Sequence, residues 1–364
     1  MLILIVIFVA LIVYNLKVCP INQYNEVSFD KKTSSSLFGI STILILYHHI
    51  AQYIGNTNEN VMFFFGSSII GNLGVGIFFF ISGFGLLYNH KNNPKYLKSI
   101  VTKKIPAIYF VYVLTNAIYL IYFACLGTKF TFVQVLTNLF GIVCLNNFKV
   151  INVNAWFIPT ILVFYVAFVL IYYIGNKIKL NNELCSIFMV IFMVTFYILN
   201  EVLPYRTLFR RSIFCFLIGI VYALYYEVLN KFIRKHYLWC LFVVITIFAL
   251  NQFFFTIIDK SQTQSVCMVC FIILLLQKVN FGNIILSTIK RIGIEIYLMQ
   301  YLFTHLFKNA IPLLDISANW YALAVFASTI VSALIVHWVI KYSKKGIIKL
   351  HKHIKFKKQE PLIG

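Results

Sequence analysis

The chain has 364 residues, 61% hydrophobic and 18% aromatic with only 11% charged, which is the composition of a membrane protein and excludes a pair of soluble domains. Its formal net charge of +21 does not point to nucleic acid. The bases lie in short clusters between apolar runs of about 20 residues, the length that crosses a bilayer, and topogenic charge explains that pattern better.

Taken in order, the apolar runs fall near residues 2–18, 37–54, 69–88, 105–126, 156–174, 184–200, 210–227, 237–258, 263–279, 292–308 and 319–341. They predict an all-α, polytopic integral-membrane bundle of about 11 transmembrane helices. Residues 1–35 read as an N-terminal membrane helix and cytoplasmic linker, 36–342 as the membrane domain, and 343–364 as a basic cytoplasmic tail held on anionic lipid. The first run lacks a basic start and a small-residue cleavage site, so it reads as a retained helix rather than a signal peptide.

Placing the N-terminus outside and the C-terminus in the cytoplasm puts 24 of the 31 lysines and arginines on the inner side, as the positive-inside rule requires. The outer exceptions include Arg206, Arg210 and Arg211, which together make a candidate site for an anionic acceptor or lipid. The plainer role for them is interfacial snorkelling. The asparagine-rich segment 127–154 is too polar for a span and faces outward as either a lid over an acceptor groove or a surface amphipathic helix.

Ionisable groups inside a span are expensive and mark function. His48 and His49 stand in the second run, and adjacent helical residues point about 100° apart, so one of them at most faces a given cavity. A neutral imidazole there suits removal of a proton from a hydroxyl. Glu295 is the acid best placed in a late span, either to hold the tautomer of an imidazole such as His49 or His305 or to sit as an ordinary charge at a helix start. His305 and His337 read as satisfied core histidines. The eight cysteines pack as small apolar groups. The Cys267–Cys270 CxxC lies in an apolar helix without a second pair, so neither metal nor disulfide is assigned.

The third run carries GNLGVGIFFFISGFGLLY, a small-residue face that lets helices approach closely. This run, and the Phe38-Gly39 to His49 spacing before it, resemble the acyltransferase-3 family of integral-membrane acyltransferases. The family carries Arg-Gly with a His eleven residues after the Arg, then a segment like GVDIFFVISGFLI. Here Phe38 stands for the Arg and Gly76 for the Asp. Further on, Lys104 and Pro106 match a basic segment in which Ala107 replaces a second Arg. Trp156, Phe157 and Tyr165 match a WF…FY helix, and GIEIYLMQYLF has Gln300 for a His.

The resemblance implies an O-acyltransferase moving an acyl group, acetyl above all, from cytosolic acyl-CoA to a hydroxyl of a cell-surface polysaccharide or lipid-linked glycan. It makes His49 the general base; Glu295, from its own place in a late span, is the candidate catalytic partner. Lys103 and Lys104 lie near the CoA phosphates, and His48, Trp156, Arg210 and Arg211 on the acceptor side. Acyl-CoA enters as donor substrate rather than bound cofactor. The expected partners are acyl-CoA, the glycan acceptor and the cell-membrane bilayer, with no nucleic acid. A polytopic polysaccharide transporter or polymerase, and a family member that no longer transfers acyl groups, are the competing readings.

Overall fold

Within a bilayer every backbone N–H and C=O needs a partner from the chain itself, which leaves helices as the solution for apolar runs such as these. The computed structural model describes residues 2–54, 68–142, 150–202, 211–253, 260–314 and 318–357, and it is an all-α polytopic bundle. Its helices are α1 (Leu2–Val13), α2 (Lys31–Ile54), α3 (Ser68–Asn92), α4 (Tyr96–Cys125), α5 (Phe132–Phe140), α6 (Phe157–Lys177), α7 (Asn182–Val202), α8 (Phe214–Leu224), α9 (Tyr226–Lys235), α10 (Tyr237–Phe253), α11 (Lys260–Lys278), α12 (Ile284–Ile289), α13 (Gly293–Leu314) and α14 (Ala318–Lys357). The sheet among the described residues is one short ladder, β1 (Lys17–Val18) antiparallel to β2 (Val279–Asn280).

Each of the eleven predicted runs contains a helix among the described residues, but seven of those helices are long and apolar enough to cross a membrane, or eight if α8 and α9 count as one bent span. The smaller number has local causes. Helix α1 has 12 residues, and the chain then turns into β1. The run predicted at 210–227 bends by 93° between Leu224 and Tyr226. Helix α13 carries Glu295, Gln300, His305 and Lys308, and its polarity keeps it out of the set.

Helix α3 is the centre of the bundle, packed by α2, α8 and α11. Its crossing with α8 is glycine on backbone in both directions. A Cβ at Gly83 would strike the Phe216 carbonyl oxygen, and one at Gly219 would strike the Phe80 carbonyl oxygen and the Phe84 amide nitrogen. Gly39 of α2 meets the Leu286 backbone of α12 in the same manner.

The segments that charge bias assigns to one side do meet at one end. Lys17 lies opposite Asn280 in the ladder. Lys91 Nζ donates to the Leu224 carbonyl at 2.9 Å, the Arg234 guanidinium donates to Gln277 Oε1 at 3.1 Å and to the Asn25 carbonyl at 2.7 Å, and Lys290 Nζ donates to Ser35 Oγ at 3.0 Å. Asn283 reaches the Tyr14 carbonyl at 3.0 Å, which stitches the end of α1 to the start of α12.

Candidate active site

Helical residues eleven apart lie about 20° apart in azimuth and about 16 Å apart along the axis. Phe38 and His49 are so placed on α2. The Phe38 ring packs on Phe78 of α3 at 4.5 Å, and a Cβ at Gly293 of α13 would come within 2.7 Å of it. His49 therefore lies on the same face of α2, three turns beyond the point where Phe38 meets the seam with α3 and α13. Its Nδ1 is 3.1 Å from Gln52 Oε1. An amide oxygen only accepts, so Nδ1 carries the proton and Nε2 is left as the basic nitrogen.

His48 points elsewhere. It is buried and pressed on Gly71 of α3, where a Cβ would lie 2.6 Å from its Nε2, although the two imidazole rings are 5.1 Å apart. The structure places it in the α2–α3 junction.

Below His49 the seam is filled by rings. Phe78 packs on Phe157 at 5.5 Å and on Tyr297 at 6.4 Å, and Phe157 meets Tyr297 at 5.9 Å. The Tyr297 hydroxyl donates to the Asn154 carbonyl. With Phe38, these rings form an apolar layer between the imidazole and the basic end of the bundle.

One turn beyond Tyr297, the hydrogen-bond ladder of α13 is opened. The Tyr119 hydroxyl of α4 donates to the Leu298 carbonyl at 2.9 Å and accepts from the Leu302 amide at 2.7 Å. It thus occupies the place of the Leu302-to-Leu298 helical bond, and Asn152 Nδ2 donates to the same carbonyl at 3.0 Å. Side-chain insertion of this kind bends helices. Gln300 lies within the opened turn, fully buried, and neither of its amide atoms has a hydrogen-bond partner among the described residues. It is seven residues from Gly293, hence on the same face of α13, at the level of the outer turns of α2. Unpaired buried amides are costly, and this one can donate through Nε2 to an oxygen that gains charge.

At the basic end, α4 begins with a π-helical turn, Ile100–Lys104, a distortion that recurs at functional positions. Lys103 is exposed, and Lys104 Nζ rests over the rings of Tyr165 at 5.3 Å and Tyr96 at 5.6 Å. Next along the same face, Ala107, Ile108 and Val111 line one wall of a cavity of about 350 Å³, whose other walls carry Lys290, Arg291, Glu295, His337 and Lys341. Burial first, then the charges of Lys104 and Lys31, push the Lys290 ammonium below the usual lysine range. The second effect marks a region of positive potential.

Glu295 pairs with neither His49 nor His305. Its Oε1 is 2.8 Å from His337 Nδ1, because the first turn of α13 faces α14 at the basic end, roughly three turns from the level of His49. Of the two alternatives for Glu295, neither His49 nor His305 is its partner, while its place in the first turn of α13 is that of a helix-start charge, and His337 is held by it. His305 Nδ1 instead lies 3.4 Å from the Tyr122 hydroxyl.

Arg211 is exposed beside Ser212, whose Oγ donates to the Asn72 carbonyl at 3.2 Å. It shares with His48 the end of α3 that carries Gly71 and Asn72. Arg210 and Arg206 lie outside the described residues. Trp156 is half-buried at the end of a one-turn 3-10 helix, Val153–Trp156. The 127–154 segment holds α5, closed at its start by a capping box between Thr131 and Gln134 and at its end by Gly141 at φ 72°. Phe132 and Val133 are exposed, while Asn138 accepts from Asn116 at 2.9 Å and from the Ile151 amide at 2.9 Å. It is an amphipathic helix pinned to α4 by asparagines.

A family model described as an acyltransferase domain matches residues 39–338. The chain belongs to the acyltransferase-3 family. No curated protein and no solved structure matches it. Membership supports a membrane acyltransferase, and the match takes in His49, Lys103, Lys104, Gln300, Glu295 and His337 together. Sequence reasoning had named the first three as site residues and Glu295 with a different partner. Lys290, Arg291 and Lys341 were read there as topogenic charge, and Tyr119 and Asn152 carried no signal, because only the packing of α13 on α4 gives them a role.

Proposed function

We propose that this acyltransferase-3 chain is a membrane O-acyltransferase that moves an acyl group, acetyl above all, from cytosolic acyl-CoA to a hydroxyl of a cell-surface polysaccharide or lipid-linked glycan. One observation carries the reading: an imidazole, His49, stands in the outer turns of α2 with its Nδ1 held by Gln52, and a cation-lined cavity lies at the basic end of the bundle. His49 Nε2 removes the acceptor hydroxyl proton as that oxygen attacks the thioester carbon. The C–S bond then breaks, and the departing thiolate takes the proton from the imidazolium. Gln300 Nε2 donates to the carbonyl oxygen as it becomes an oxyanion, and the Phe38, Phe78, Phe157 and Tyr297 rings shield the thioester from water. Lys103 and Lys104 attract the polyanionic donor as point charges.

Phe38 favours a second reading, a family member that folds without transferring acyl groups, because it places a ring where the resemblance expects a guanidinium. The donor reading is tested by Lys103→Ala/Lys104→Ala in purified protein. CoA affinity is expected to fall and to depend less on salt than in the parent, since fewer ion contacts remain to be screened. Unchanged affinity and salt dependence would make both lysines topogenic only.

The proposed direction of transfer needs the N-terminus outside and the C-terminus in the cytoplasm. Cysteines introduced at exposed Phe132 of α5 and exposed Tyr342 of α14 are expected to react with impermeant reagents from opposite faces of the cell membrane, Phe132→Cys from outside. Labelling of both from one face would refute the proposed topology.

A further inference from the structure

We propose that the cavity between α4, α13 and α14 seats the phosphate-bearing end of the donor, with Lys290, Arg291 and Lys341 as the cations that face it. The inference rests on the acyl-CoA reading above and assigns that ligand a place of its own, across the cavity from the face of α4 that carries Lys104.

The charge of the site supports this. Three cations line a cavity of about 350 Å³, and the acid among its lining residues is Glu295. That carboxylate is buried and engaged at 2.8 Å by His337, so the lining sets three cations against one acid. Lys31 and Lys104 add positive potential at Lys290 from α2 and α4, and Lys290 itself is anchored to Ser35 Oγ at 3.0 Å. Cations gathered in one concavity repel one another unless an anion joins them, and an Arg fork beside two ammonium groups suits phosphate oxygens.

The shape of the site agrees. The wall opposite the cations is apolar, formed by Ala107, Ile108 and Val111, which gives a nucleotide a surface to lie on. The cavity is at the same end of the seam as the π-helical turn, with the ring layer between it and His49. A donor whose phosphates sit here needs a long thioester arm to reach His49 past the ring layer, and acyl-CoA has such an arm. An anionic lipid headgroup shares the phosphate chemistry, and the test below separates it from the donor.

The test uses full-length protein in nanodiscs of zwitterionic phosphatidylcholine, with CoA as the probe. The parent, Arg291→Ala/Lys341→Ala and Arg291→Lys are compared by calorimetric titration at several salt concentrations, and thermal unfolding checks that each is folded. Both substituted side chains are exposed. The double variant is expected to bind CoA roughly 10- to 100-fold more weakly, the equivalent of one or two charge-assisted contacts, with a flatter salt dependence. Arg291→Lys should retain most of the affinity.

CoA affinity equal to the parent's in the double variant would overturn the inference and leave the donor reading intact. Weaker binding with an unaltered salt slope would also overturn it, as damage to packing. If CoA binding is unchanged while native mass spectrometry shows loss of retained phosphatidylglycerol, the cavity is a lipid site and the inference fails. A parent that binds no CoA would overturn the donor reading and this inference together.

Discussion

Gly219→Val and Gly83→Val are each expected to abolish recovery of folded, monodisperse protein from detergent-solubilised membranes. In the α3–α8 crossing, a Cβ on either glycine falls on backbone atoms of the other helix. Backbone cannot rotate away as a side chain can, so the helices must separate by about 1 Å or more to regain ordinary contact distances. Overpacking of that kind typically costs about 1–3 kcal/mol even where neighbours can adjust, and here α3 is also the helix on which α2 and α11 pack. Gly85→Ala supplies the comparison, because a Cβ there meets nothing within 4 Å, and its yield and thermal stability should match the parent's. Normal recovery of Gly219→Val by size-exclusion chromatography would show that the crossing is looser than described.

His49→Ala is expected to lower the acyl-transfer rate by roughly 10² to 10⁴, the usual contribution of a positioned general base, with the protein still folded. The imidazole is half-buried at the end of the seam and its hydrogen bond is to exposed Gln52, so its removal leaves no buried partner unsatisfied. His48→Ala should act differently. That ring is buried against Gly71, so its loss opens a small cavity and lowers thermal stability while the rate falls much less. The two variants thus separate chemistry from packing: equal losses of rate, scaling with equal losses of stability, would assign both histidines to the core.

The helices were legible because apolar runs near bilayer length have few alternatives, and the acyltransferase-3 family was legible in GVGIFFFISGFG, where Gly74 and Gly83 meet α2 and α8 too closely to admit a Cβ. Three features were not. The bend between Leu224 and Tyr226 is hidden, since the run stays apolar up to the turn and no Pro or Gly marks it. The partner of Glu295 depends on how α14 lies against α13, and residues 42 apart in sequence leave no periodicity to read. The role of Tyr119 rests on one hydroxyl entering a neighbouring helix at Leu298 and Leu302, which composition cannot distinguish from any buried tyrosine. The basic cavity escaped for a related reason. Lys290-Arg291 and Lys341 come from two separate segments that each fit the positive-inside rule, so the charge bias behind the expected topology accounted for them without bringing them together.

The central claim is that acyl groups leave CoA at the basic end and reach an acceptor hydroxyl at His49. It is tested most directly with membrane vesicles carrying the parent or His49→Ala and acetyl-CoA labelled in its acetyl group, supplied on the cytoplasmic face. Mass spectrometry then follows the label into alkali-labile ester on the surface glycan. The account predicts labelled ester with the parent and a loss of roughly 10² to 10⁴ in its rate of formation with His49→Ala. Labelled ester formed at the parent rate by His49→Ala, or none formed by the parent itself, would contradict it.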